Sequence, residues 1–209
     1  MQHQNTNPTT VYWLDKTLYL NITNKCSSNC YFCFRKFKKG IKEFNLKLEK
    51  EPTKTEIIEE LRKVINRKNW KEIVFCGFGE PLERLNLVLQ LTGYIKGNYL
   101  KPVRVDTNGQ GYLLNKGIDV AQQLKDAGVD KVRVSLNAHN KETYNEICKP
   151  TSDDAYVSIL KFIKKAKQAG LETEVTAVTI PEVSITQIKE LAESLGVKFA
   201  TREYIPFFW

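Results

Sequence analysis

Short continuous apolar runs alternate with stripes of helical period along most of this chain. LYLNIT (18–23), rich in apolar and β-branched residues, predicts a strand. EIVFC (72–76) is an unbroken apolar run stopping at Gly77, as strands buried in parallel sheets do. VRVD (103–106), VRVSL (132–136), 172–179 and 197–202 extend the series to six strands. Helices are expected between them. Pro52-Thr53 opens one that runs to about Asn66, with Ile57, Ile58, Leu61, Val64 and Ile65 on one face. Others are expected over 82–96, 116–127 closed by Gly128, 141–147, 153–169 ended by Gly170, and 184–195 with Ser184 as N-cap. Residues 1–10 are expected to be loose, and 24–52, without clear period, a long loop with some helical turns. Alternation of this kind predicts an α/β fold with a parallel sheet and right-handed crossovers. Its active site then lies at the C-terminal ends of the strands. Periodicity does not separate an open sheet from one that curls toward a barrel.

Composition narrows the class. At 209 residues the chain is long enough for one large domain spanning 1–209. Hydrophobic residues are 42% and charged residues 27%, which argues against general disorder. No stretch approaches the ~18 apolar residues of a membrane span, and the polar start lacks the layout of a signal peptide. The formal charge is +8, spread as Lys more than Arg. That suits a solvated surface, and no RNA-recognition motif supports a nucleic-acid partner, although the charge leaves one open. Five cysteines, an odd number, do not describe a disulfide scaffold. They imply a reducing, cytoplasmic setting and raise the question of what the thiols bind.

Three of the five stand as Cys26-Ser-Ser-Asn-Cys30-Tyr-Phe-Cys33, a C-x3-C-x2-C directly after the first strand. Three thiolates on one short loop can wrap a metal centre. A 4Fe-4S cluster usually takes four, so three would leave one iron open to a ligand. A closed zinc site would want a fourth Cys or His in paired spacing, and none is present. Other polar clusters also fall just after predicted strands. Gly77-Phe78-Gly79-Glu80-Pro81 follows the second, with glycines that let backbone approach a ligand and an acid able to hold an ammonium. Asp106-Thr107-Asn108-Gly109 follows the third, and Ser135-Leu136-Asn137 ends the fourth. These short polar groups suit ribose hydroxyls or a carboxylate.

The triplet, with aromatic Phe32 before its last cysteine, resembles the signature of the radical S-adenosylmethionine (SAM) superfamily. The resemblance implies a partial (β/α)6 TIM-like barrel. It also implies a 4Fe-4S cluster on Cys26, Cys30 and Cys33 whose open iron chelates SAM. Reductive cleavage then gives a 5′-deoxyadenosyl radical that takes hydrogen from a substrate. Phe32 would lie against the adenine. Gly77-Phe78-Gly79-Glu80-Pro81 is similar to the family's Gly-Gly-Glu-Pro, which binds the SAM amino group, with Phe78 standing where the first glycine is usual. The D-T-N-G and S-L-N segments have similar counterparts, which assigns Asp106, Thr107, Asn108, Ser135 and Asn137 to the cofactor. Family members often pack the backbone of a segment such as TAVTIPEV (176–183) against adenine. Most of all, LYLNITNKC, CYFCFR, VFCGFGEP, RVDTNG and VSLNAHNKETYNEICKP resemble a small subfamily associated with TatD-type nucleases. Glycyl-radical activases share the triplet but differ from V-S-L-N at the fourth strand.

The implied substrate is a small molecule or peptide, and the implied partner a reductant such as flavodoxin or ferredoxin. Arg35 with Lys36, Lys38, Lys39 and Lys42 forms a basic run that could steer either. Candidates for the chemistry are Cys148, as a hydrogen donor or modified thiol, His139, placed after the fourth strand, and Arg202, able to reach a carboxylate or phosphate. Cys76 reads as a core residue, and the terminal IPFFW as a cover or an oligomer contact. The rival reading from another class is a non-catalytic iron–sulfur or zinc module.

Overall fold

The structure, a computed structural model, describes residues 7–204. It opens with a hairpin of β1 (Val11–Leu14) and β2 (Thr17–Leu20), antiparallel to each other. Five parallel strands follow. These are β5 (Glu72–Phe75), β6 (Val103–Thr107), β7 (Lys131–Ser135), β8 (Glu172–Thr179) and β9 (Lys198–Glu203), each parallel to the strand before it, with β5 parallel to β2. A second hairpin, β3 (Gly40–Ile41) with β4 (Phe44–Asn45), lies in the long loop between β2 and β5. The helices are α1 (Lys54–Val64), α2 (Leu85–Tyr99), α3 (Gly111–Leu114), α4 (Val120–Asp126), α5 (Lys141–Cys148), α6 (Ala155–Gln168) and α7 (Ile185–Leu195). The seven-stranded sheet runs β1-β2-β5-β6-β7-β8-β9. Its order never doubles back, which is barrel topology. Because β1 and β9 do not pair, the sheet stays open.

The strands are two-faced, and this places the cavity. In V-R-V-D-T of β6 and K-V-R-V-S of β7, the valines are buried and share one core cluster with the helices. The alternate positions face away from the helices and carry charge. There Arg104 pairs with Glu72 and Asp106, Arg133 and Lys131 with Glu174, and Lys198 with Glu172. An inner face of paired charges keeps the lumen polar and reachable by a polar ligand.

Local chemistry explains most boundaries. Thr53 caps α1 in a reciprocal box, its hydroxyl accepting from the Glu56 amide and the Glu56 carboxylate accepting from the Thr53 amide. Ser184 caps α7 as expected. The helix expected over 116–127 instead begins at Val120, because Gly117 turns the chain at φ +77. Strand β2 stops at Leu20, three residues short of the expected end, because the Asn21 side chain takes over the hydrogen bonding there. Nor are residues 8–10 loose: Thr9 donates to Asn45 O at 2.7 Å, and the amide of Asn21 donates to Thr10 O at 2.8 Å. The strands at 11–14, 40–41 and 44–45 are those that hydrophobic patterning leaves out. IPFFW lies outside the described residues.

Candidate functional site

The three-cysteine loop leaves β2 at the C-terminal rim of the sheet and is held from two sides. The chain just after α5 backs it: the Asn29 amide donates to Cys148 O at 3.0 Å, the Tyr31 amide to Ile147 O at 3.1 Å, and the Thr151 amide to Ser27 O at 2.9 Å. From the β6 end, Asn108 Nδ2 donates to Ser27 Oγ at 2.9 Å and Gln110 Nε2 to Ser28 Oγ at 2.8 Å. Gln110 is buried and also donates to the Tyr144 hydroxyl at 3.0 Å. The loop is thus positioned by rigid elements before any ligand arrives, as a binding site requires.

The glycines beside it are needed for packing against the chain itself. A Cβ on Gly77 would lie 2.2 Å from Asn21 Oδ1, and one on Gly79 2.3 Å from Lys25 O and 2.6 Å from Thr23 O. Both therefore let the G-F-G-E-P turn close onto the base of the cysteine loop, and both also line the cavity described below. Asn21 completes the join. Fully buried, it donates to Thr9 O and Leu46 O at 2.9 and 2.8 Å and accepts from the Phe78 amide at 2.9 Å. The Phe78 ring packs in a small apolar cluster with Tyr12, Phe44 and Leu46, under the Arg35 guanidinium, and also lines the cavity described below.

Glu80 is buried, and burial pushes its carboxyl up to about 7. Three donors pull the other way: Thr107 Oγ1 at 2.7 Å, the Asn108 amide at 2.7 Å and the Leu82 amide at 3.0 Å. A carboxylate offers about four acceptor positions, so one is left for a cation, and a cation there would favour ionisation. Thr107 and Asn108 are accordingly linkers between loops more than free ligand groups. Asp106, also expected at the ligand, is held by Arg104 at 2.7 Å.

These residues surround a cavity of about 480 Å³, within the usual size of about 300–1,000 Å³ for cofactor sites. Its wall includes Cys26, Cys30, Cys33, Phe32, Gly77, Gly79, Glu80, Asn108, Ser135, Asn137 and Arg202. Arg202 Nη2 donates to Ser135 Oγ at 3.2 Å and Asn137 Oδ1 at 3.1 Å. Desolvation lowers the guanidinium pKa from its ordinary value. Cys148 is buried, lines the same cavity and receives the Asn137 amide at 3.8 Å. Cys76 is half-buried and also faces the cavity, correcting its reading as core. Position 76 shares the inner face with Val74 and Glu72, not the helix-facing side. His139 is not on the cavity wall: its Nε2 meets Asn140 Nδ2 at 2.8 Å, in the residue that caps α5. The structure therefore gives it no contact with a ligand held there.

The donor set fits an iron–sulfur cluster. All five cysteines are free thiols. Burial pushes Cys26 up to about 12, with Glu80's charge adding to it, and burial also raises Cys33. Cys30 is raised first by its hydrogen bond with the Cys148 thiol and then by burial. The thiols hold their protons until metal displaces them. Cys26, Cys30 and Cys33 all line the one cavity, and three thiolates suit three irons of a cluster.

Sequence reasoning missed Asn21, Gln110 and Tyr144. Nothing in a lone Asn or Gln marks it as the tie between loops. The segment 147–150 was legible only as part of a longer similarity.

Comparison with known proteins follows the same outline. The profile of the Radical SAM superfamily matches residues 20–195. A probable GTP 3′,8-cyclase of Methanococcus maripaludis is 31% identical over 197 residues, which are 91% of this chain and 60% of that protein. The GTP 3′,8-cyclase of Aliarcobacter butzleri is 28% identical over 84% of this chain and 50% of that protein. The chain therefore spans between half and three-fifths of the curated relatives named here. Among solved structures, methylornithine synthase superposes with a TM-score of 0.63 at 17% identity, covering 91% of this chain and 53% of that one. Streptococcus suis SuiB gives 0.64 at 19%, covering 87% and 38%. At these identities the two structures share a fold. The likeness to the TatD-associated subfamily rests on the quoted segments alone. The profile runs from the end of the first parallel strand to the end of α7, and by that match the chain belongs to the radical SAM superfamily, enzymes that use a 4Fe-4S cluster and S-adenosylmethionine.

Proposed function

We propose that this enzyme cleaves SAM reductively and abstracts a hydrogen atom from a small-molecule or peptide substrate. The observation that carries the reading is the three-cysteine loop, pinned at the mouth of a cavity beside a buried acid. Cys26, Cys30 and Cys33 would take three irons and leave the fourth open. When bound, the cluster and SAM supply one-electron reduction and a radical precursor. The chain's own part is to hold and orient them. Glu80 has an acceptor position for the SAM ammonium, and Phe32 offers a half-exposed ring to an adenine. Ser135 and Asn137 supply polar groups on the opposite wall. A second reading of the substrate, a nucleoside triphosphate, is favoured by similarity to GTP 3′,8-cyclases. The free thiols suit a reducing, cytoplasmic setting.

The test is anaerobic reconstitution with iron and sulfide, then dithionite and SAM, with 5′-deoxyadenosine as the readout. The reading expects that product. Its absence from protein with a confirmed 4Fe-4S cluster would overturn it.

Electrons would enter from the outside of the loop. Arg35, Lys36, Lys38, Lys39 and Lys47 share a second cavity, of about 320 Å³, with Cys33. An acidic flavodoxin or ferredoxin fits this rim by charge. Lys36→Glu with Lys39→Glu should slow turnover driven by flavodoxin at low salt by about tenfold or more, and leave turnover driven by dithionite unchanged. Equal losses with both reductants would move the docking surface elsewhere.

A further inference from the structure

The inner face of the sheet carries five cations, and four of them are neutralised within the protein. Arg104, Lys131, Arg133 and Lys198 each have a carboxylate at ion-pair distance. Arg202 has none among the described residues, and neighbouring Glu203 makes no ion pair with it. Only its Nη2 is engaged, on Ser135 and Asn137. A guanidinium carries five N–H donors in a planar fork, so donors beyond those of Nη2 are left on a residue that lines the cavity.

A second, independent feature lies next to it. Thr176 is 1% exposed and lines the same cavity, yet its Oγ1 has no hydrogen-bond partner. A buried hydroxyl left unpaired costs about 1–3 kcal/mol, so an orphan at a cavity wall marks a place for a missing acceptor or donor. Thr176 is the register partner of Ser135 on the adjacent strand. Because Ser135 Oγ accepts from Arg202, its own hydrogen is free to be given. Asn137, which braces Arg202 from the other side, sits in the left-handed region at φ +60. Asn tolerates that conformation better than most residues. The wall therefore offers guanidinium donors beside two neighbouring hydroxyls, in a cavity whose lining also includes Glu80, Asp106 and Glu203.

We propose that Arg202, Ser135 and Thr176 form a receptor for an anionic oxygen group, a carboxylate or phosphate, on a ligand in the cavity. A planar fork matches both groups bidentately, which a lysine would not. The identity of the ligand rests on the radical SAM reading: the group belongs to the substrate and not to SAM. The receptor itself is a property of the wall.

The probes are inorganic phosphate and malonate, titrated calorimetrically into the anaerobic, reconstituted protein. Arg202→Gln should weaken binding roughly 10- to 100-fold, and Arg202→Lys less. Thr176→Val, which keeps the shape and removes the hydroxyl, should also weaken it. Arg62→Gln, an exposed arginine on the outer surface of α1, should leave it unchanged. Equal binding by wild type and Arg202→Gln, or none by wild type at millimolar concentration, would overturn the proposal. SAM affinity measured on the same variants should be unchanged, and a parallel loss would overturn the assignment to the substrate. Wild type that binds phosphate through Arg202 but forms no 5′-deoxyadenosine would refute the radical reading and leave this one standing.

Discussion

Alanine at any one of Cys26, Cys30 or Cys33 is expected to abolish the iron–sulfur absorbance and SAM cleavage together. Three thiolates are the whole protein ligand set this account allows the cluster, so none can be lost without freeing a second iron. The effect is far larger than the roughly 10–100-fold loss typical of groups that only support a ligand. Cys76→Ala and Cys148→Ala provide the contrast. Both thiols face the cavity, and Cys148 touches Cys30, yet neither lies on the loop. Each variant should keep its iron. Full turnover by Cys148→Ala would also end any role for that thiol as hydrogen donor. Wild-type iron content in a variant of the triplet would place the ligands elsewhere.

Gly79→Ala is expected to cost about 3 kcal/mol in urea unfolding and to abolish SAM binding. The added methyl would meet two backbone carbonyls, Lys25 O at 2.3 Å and Thr23 O at 2.6 Å, and backbone cannot step aside as a flexible side chain can. The turn carrying Glu80 must then lift from the cysteine loop, and the Glu80 amide loses its 2.8 Å bond to Lys25 O. Gly93→Ala is the matched control. It lies on the exposed side of α2 with nothing within 4 Å of the new methyl, so it should stabilise by about 0.5–1 kcal/mol. A mild or neutral Gly79→Ala would show that the close join is not needed.

The parallel strands and the cysteine loop were legible because they are local. A run such as E-I-V-F-C or a C-x3-C-x2-C declares itself within a few residues. The same locality explains what was misplaced. Thr107, Asn108 and Glu80 were correctly gathered at one rim, since each follows a strand of the same sheet. Their hydrogen bonds, however, go to one another and to Ser27, because adjacent loops at a barrel mouth meet before a ligand does. Spacing says which strand end a residue occupies and not which neighbour completes it. Cys76 shows the limit of an apolar run: I-V-F-C reads as core throughout, although alternate positions face a polar lumen. The V-R-V-D and V-R-V-S alternation carried the missing signal, since charge at every second residue marks an accessible inner face. Asn21 had no such signal; its partners, Thr9, Leu46 and Phe78, lie on three separate segments. For Arg202, the sequence shows only a cation at a strand end, and the fold supplies its partners, Ser135 and Asn137.

The most direct test of the central claim is electron paramagnetic resonance of the reduced, reconstituted protein titrated with SAM. The account predicts about four irons per chain and a cluster signal that shifts when SAM binds, because one iron has no protein ligand. A signal that SAM leaves unchanged, in protein with full iron content, would mean that all four irons are already ligated and would contradict it.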